Sequence, residues 1–292
     1  MRQKLNLLGF AAGIAGNNPD CALAPWYLYY HPEWFQHLSM VVSWEGFIKA
    51  SSRNVGATVM PEVVEIIKSL SQEVLALTRQ QQHFAVIGGD HSCAIATWSA
   101  VAYANRSQGD IGLLWVDAHM DSHTPSTSIS QNAHGMPLAV LLGRGTPTLC
   151  QLWDDQPKLQ PQNVCLVGVR SYEAAERQLL EELGVRVYYM DEVHERGLSA
   201  VIHEAYDQIS AHTCGVGFSI DMDAIDPEDA PGVGYREQGG LSGQALRQAF
   251  SSLSKNRTRL LGVEITEYNP ILDIDNKTAH LLLELLNAIV TD

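Results

Sequence analysis

The chain has no CxxC pair, and its five cysteines (Cys21, Cys93, Cys150, Cys165 and Cys214) are odd in number and widely spaced. A zinc ribbon is therefore excluded and a disulfide framework is not indicated; buried, reduced thiols in a cytoplasmic protein are expected instead. No segment approaches about 18 unbroken apolar residues, so no membrane-spanning helix is expected. The opening MRQKLNLLGFAAGIAG starts with basic side chains, but its apolar part is short and broken by Gly. It reads as a first strand and not as a signal peptide.

Positive charge is scarce. Lys and Arg number 19 against 33 Asp and Glu, a formal net charge of −14, and the basic residues nowhere cluster. Binding to nucleic acid needs a basic patch, so that partner is excluded. An acidic protein can attract a small cationic substrate, although acidity of this size is ordinary in soluble proteins. Two divalent ions would reduce the charge from −14 to about −10. Internal repeats, low-complexity tracts and linkers are also missing, and one domain over residues 1–292 is expected.

What is present is an alternation of short apolar runs with longer helical patterns. Strands are expected at 5–10, 38–44, 84–89, 111–117, 163–169, 185–190, 214–221 and 259–265, and helices at 61–81, 92–105, 172–183, 192–211, 241–253 and 279–290. Val63, Ile66, Ile67, Leu70, Val74 and Leu77 recur at intervals of three and four, which makes a helical stripe. Strands that are apolar throughout, separated by helices, predict an α/β fold. The expectation is a three-layer αβα domain with a mainly parallel sheet of roughly eight strands.

Ligands in such folds bind beyond the carboxyl ends of the strands. Four strand ends carry chemistry: GGDHS at 88–92, DAHMD at 117–121, SIDMDAIDP at 219–227 and TEYNP at 266–270. Side chains two apart on an extended segment share a face, so Asp117, His119 and Asp121 can converge, as can Asp221 and Asp223. Grouped carboxylates repel unless a cation neutralises them. With His91, the set is two His and four Asp, which suits divalent ions of intermediate hardness. Mn²⁺ is the first choice, ahead of Co²⁺, Ni²⁺, Fe²⁺ and Zn²⁺. Six ligands are too many for one catalytic zinc and fit two ions bridged by Asp. Asp90 and Asp226 read first as turn or cap residues. His83, His194, His203 and His212 read as surface or half-buried histidines. The aromatic run WYLYYHPEW (26–34) reads as core or subunit packing.

Taken together, GGDHS, DAHMD and SIDMDAIDP resemble the ureohydrolase family, which includes arginases, agmatinases and formimidoylglutamases. The resemblance implies an arginase-like αβα fold and two Mn²⁺ per chain. His91, Asp117, Asp121 and Asp221 would hold one ion, and His119, Asp117, Asp221 and Asp223 the other. The run Ser130-Gln131-Asn132-Ala133-His134-Gly135 is similar to the arginase version. It implies that Ser130 and Asn132 bind the substrate carboxylate and that His134 shuttles protons, with His123 and Ser128 as further substrate-binding candidates. Glu267 would pair with the guanidinium, and Glu173 and Glu176 would attract the α-ammonium. The implied reaction is hydrolysis of L-arginine to L-ornithine and urea by a hydroxide held between the two ions, with Asp121 passing its proton to the leaving amine. The chain departs from the arginase pattern at His123, where an Asn is usual, at Glu173, where a shorter acid is usual, and at Gly234-Tyr235-Arg236, where Gly-Thr-Pro is usual.

The nearest alternative is an agmatinase or another ureohydrolase acting on guanidinobutyrate or a related guanidino compound. A metal-dependent deacetylase or phosphoesterase would keep fewer acids or carry Gly-Asn-His-Glu, and a scaffold descended from an enzyme would have lost a ligand. Family members are usually trimers or hexamers, so a cytoplasmic homo-oligomer is expected.

Overall fold

The computed structural model describes residues 3–52, 54–253 and 259–291. Among these, the apolar runs form eight strands: β1 (Lys4–Ala11), β2 (Val41–Lys49), β3 (Phe84–Ile87), β4 (Gly112–Val116), β5 (Val164–Val169), β6 (Arg186–Tyr189), β7 (Val216–Asp221) and β8 (Leu260–Thr266). They make one sheet in the order β2-β1-β3-β8-β7-β4-β5-β6. Every pairing is parallel. Parallel strands need crossover helices, and these cover both faces, which is why β3, β4, β5 and β7 are buried along their whole length.

A separate apolar core lies on each side of the sheet. One packs Phe218, Leu246, Phe250, Leu282 and Leu286; the other packs Phe84, Trp98, Trp115, Leu138 and Leu166. The helix Met60–Arg79 turns the six residues of the expected stripe inward. The parallel arrangement brings all carboxyl ends to one edge. β3, β8, β7 and β4 are consecutive neighbours at its centre, so the four chemically loaded segments, distant in sequence, emerge side by side.

Two local expectations needed correction. The second strand runs over 41–49 instead of 38–44, with an irregularity where Leu7 and Leu8 pair with Trp44 and Gly46. It is an edge strand, half-exposed along most of its length, so it lacks the continuous apolar run that marks the central strands. The helix expected at 192–211 is two helices, Met190–Arg196 and Leu198–Ser210, because Gly197 between them takes φ +84°. In the aromatic run, Trp26 stacks on Phe47 at 3.9 Å and Tyr27 donates to Asn276, whereas Tyr30 is exposed.

Close packing constrains the centre of the sheet. A Cβ on Gly217 would stand 2.1 Å from the ring of Trp98, which is itself fully buried. Gly217→Ala is expected to cost about 1–3 kcal/mol through overpacking. A lowered denaturation midpoint with an unaltered denaturant slope would bear this out, and an unmoved midpoint would refute it.

Candidate metal centre and active site

The register explains how the site is assembled. Trp115 pairs with Ser219, and Ser219 with Glu264, so these three side chains form a row on one face of the sheet. Two residues further along, Asp117 and Asp221 extend the same face at the carboxyl edge. β3 ends in Gly88-Gly89, and a Cβ on Gly89 would fall 1.9 Å from the backbone oxygen of Ala12. Only glycine lets the chain turn there. The turn is tied down by the N–H of Glu267, which donates to Gly89 O (2.7 Å), and by the N–H of Asp90, which donates to Ala12 O (2.9 Å).

Two clusters of ligand-type atoms result. In the first, His91 Nδ1 lies 3.3 Å from Asp117 Oδ2, 3.1 Å from Asp121 Oδ2 and 3.1 Å from Asp221 Oδ2. In the second, His119 Nδ1 lies 3.4 Å from Asp117 Oδ1 and 3.3 Å from Asp223 Oδ2. Asp117 belongs to both, offering a different oxygen to each. Neighbouring ligands on an octahedral ion with bonds near 2.1 Å are separated by about 3 Å, the scale of these contacts. His91 Nδ1 and Asp223 Oδ1 are buried and have no hydrogen-bond partner. The residues therefore fit a pair of divalent cations.

The protons of the ion-free chain fit the same reading. Burial opposes a charge on His91 and His119, but the facing carboxylates outweigh it and push both imidazoles well above the ordinary value. Burial also works against ionised Asp117, yet His119 and His91 hold it below the usual carboxylate range. Burial and the charge of Asp117 push Asp121 up to about 7, and burial with Asp223 and Asp117 raises Asp221 well above its ordinary value. Protons stand where divalent ions would neutralise the same acids.

A layer of hydrogen bonds orients the ligands. The Ser219 hydroxyl donates to Glu264 Oε1 (2.9 Å), which leaves Ser219 Oγ to accept from His91 Nε2 at 3.0 Å. That places the Nε2 proton away from the cluster and turns Nδ1 towards it. His91 also stacks on Trp115 at 4.3 Å, and Trp115 Nε1 donates to Asp117 Oδ2 (2.9 Å). Ser219 and Glu264 were not among the candidates from sequence. The available signal was an acid inside the apolar run LLGVEIT. Asp90 and Asp226 do serve as turn residues: Asp90 accepts from Ser92 N and Ala15 N, and Asp226 from Glu228 N and Gly240 N.

Above the clusters opens a cavity of about 310 Å³ lined by Asp121, Asp221, Asp223 and Glu267 at its base and by His123, Ser128, Ser130, Asn132, His134, Glu173 and Glu176 around its walls. Every candidate residue thus reaches one site, with His91 and Asp117 buried beneath the floor. Tyr235, Tyr172, Ser171 and Asn17 also line it and had not been singled out for binding. Glu267 Oε1 accepts from the N–H of His91 (3.0 Å) and lies 3.3 Å from His134 Nδ1, while Oε2 is buried without a partner. Burial opposes a proton on His134, but Glu267 prevails and raises it to about 9. Asp121 (φ +46°) and Glu267 (φ +61°) both occupy the left-handed region, a strained conformation for residues with side chains.

The profile described as "Arginase family" matches residues 4–291. The arginase of Bacillus subtilis (strain 168) is 40% identical over 223 residues, 76% of this chain and 74% of that one. The arginase of Bacillus caldovelox is 39% identical over 227 residues, 78% and 75% of the respective chains. Its crystal structure superposes with a TM-score of 0.90 at 33% identity, covering 100% of this chain and 99% of the other. The chain belongs to the arginase family.

The raised carboxylates make ion binding pH-dependent. Asp90, raised to about 6 by burial and Glu267, and Asp121, raised to about 7, bind protons in the folded ion-free chain that the unfolded chain has released above the ordinary value of 3.8. The ion-free fold therefore loses stability as pH rises through those folded values, and the raised histidines act in the same direction. A divalent ion competes with these protons. The rise in Tm on adding Mn²⁺ is expected to grow from about pH 5 to about pH 8. Differential scanning fluorimetry across that range tests it, and a pH-independent increment would refute it.

Proposed function

We propose that this protein hydrolyses the guanidinium group of L-arginine to L-ornithine and urea, with two Mn²⁺ held by His91, Asp117, His119, Asp121, Asp221 and Asp223. The observation that carries this reading is Glu267: a buried carboxylate beside the two clusters whose Oε2 has no partner. It is the receptor a guanidinium fork requires. When bound, the pair of ions supplies an activated water by drawing its pKa towards neutrality.

The chain's own residues do the rest. Glu267 receives the guanidinium N–H groups and holds the central carbon over the ligand clusters. Asp121, beside His91 at the cavity floor, takes the proton released on attack and delivers it to the leaving amine. His134, next to Glu267 and partly open to the cavity, passes protons between the site and solvent. Ser130 and Asn132, with Ser128, offer hydroxyl and amide groups to the α-carboxylate, while Glu173 and Glu176 supply the negative end for the α-ammonium.

Our reading also includes a cytoplasmic homo-oligomer, a trimer or hexamer. The five cysteines are free, no described helix is long and apolar enough to cross a membrane, and Ile271, Leu272 and Ile274 form an exposed apolar segment that a second copy could cover. Light scattering on the purified protein tests the assembly; a monomer would refute it.

Mn²⁺-loaded protein is expected to release urea from arginine in clear preference to agmatine and guanidinobutyrate. Preference for agmatine would sink the carboxylate roles of Ser130 and Asn132. Elemental analysis is expected to find about two ions per chain. Asp121→Asn is expected to lower kcat by roughly 10²–10⁴-fold, the usual share of a general acid–base group, and a loss below tenfold would remove the proton-transfer role.

A further inference from the structure

His123 lines the same cavity, and its ring faces two acids. Its backbone N–H donates to Gly135 O (3.0 Å), and its Nδ1 is 3.1 Å from the Thr127 hydroxyl. The ring is thereby turned so that Nε2 points at two acids, 3.5 Å from Glu176 Oε2 and 3.6 Å from Glu173 Oε1. These separations are longer than full hydrogen bonds, yet they set the Nε2 edge of the ring against both carboxylates.

The two acids are not equivalent. Glu176 is buried and both of its oxygens are committed: Oε1 accepts from Ser122 N (3.2 Å) and Oε2 from Glu173 N (2.9 Å). It is a fixed part of the wall. Glu173 stands at the start of the helix Ala174–Leu183 with its side chain 59% exposed, and His123 is its one ion-pair contact among the described residues. Glu173 and Glu176 also share a capping box at the helix start, and His123 adds the contact from the cavity side that offsets the repulsion between the two acids. With it, the Glu173 carboxylate is retained at the cavity wall as the acid still open to a cation.

We propose that His123 is a positioning residue for recognition of the α-ammonium group: it holds Glu173 at the cavity wall and so sets how strongly the site prefers a substrate bearing that group. The proposal rests on the arginine reading above. It assigns His123 to the amino end of the substrate.

The test compares arginine with desamino-arginine, which keeps the guanidinium and the carboxylate and lacks the α-amino group. The full-length, Mn²⁺-loaded protein is assayed as wild type and as H123A, H123Q, E173A and the H123A/E173A double variant, with metal content measured for each. H123A is expected to lower the ratio of kcat/KM for arginine to that for desamino-arginine by about tenfold, mainly through KM for arginine. H123Q, which keeps a side-chain N–H donor, is expected to recover part of the ratio. E173A is expected to reproduce the loss, and the double variant to add nothing further. Equal losses on both substrates, or additive losses in the double variant, would overturn the proposal. Absence of urea from either substrate with the wild-type protein would sink the arginine reading itself, and the proposal with it.

Discussion

Like charges buried together are the constraint around which this molecule is organised. Asp117, Asp121, Asp221, Asp223 and Glu267 converge at the carboxyl edge of one sheet, and Asp117 is fully shielded from water. An isolated ionised carboxylate in such surroundings would take up a proton instead of remaining charged. The arrangement becomes compatible with ionised acids when cations occupy it. His91 and His119, each facing the cluster through Nδ1, supply the nitrogen donors that complete two sites. The fold tolerates the cluster because function uses it.

The sheet meets the geometric demand by rigid means. Parallel pairing delivers four strand ends to one edge, and strand order makes β3, β8, β7 and β4 consecutive. Each crossover connection is longer than a hairpin would be, and this topology separates the motifs along the chain by tens of residues. Beneath the edge, Trp115, Ser219 and Glu264 form a buried row that carries polar groups. That row fixes the ring of His91, so orientation of a ligand is set by side chains one layer down. At the site itself Asp121 and Glu267 occupy the left-handed region, where surrounding hydrogen bonds hold the backbone.

Much of the site was legible in the sequence because its chemistry is local. Asp117, His119 and Asp121 obey the two-residue period of an extended segment, as do Asp221 and Asp223, and acids at the end of apolar strands have few structural uses. Ser219 and Glu264 escaped notice for the converse reason: their role lies in pairing between strands 45 residues apart, which no local period records. The edge strand β2 was misplaced because half-exposed residues carry little apolar signal, and the helix break at Gly197 was missed because the apolar pattern continues across it. His123 and Glu173 were both visible as departures from the family pattern, but their proximity was not.

The sequence by itself determined the fold class, the strand–helix alternation and the ligand types, since burial pattern and donor chemistry are properties of neighbouring residues. It also determined, through three ordered motifs, the family to which the chain belongs. Tertiary structure alone decided strand order, the sharing of Asp117 between two clusters, the tautomer imposed on His91 and the acid pair against which His123 is set. These depend on register and crossover, which bring together side chains that the linear order keeps apart. Distance and direction between such groups exist only once the sheet has formed.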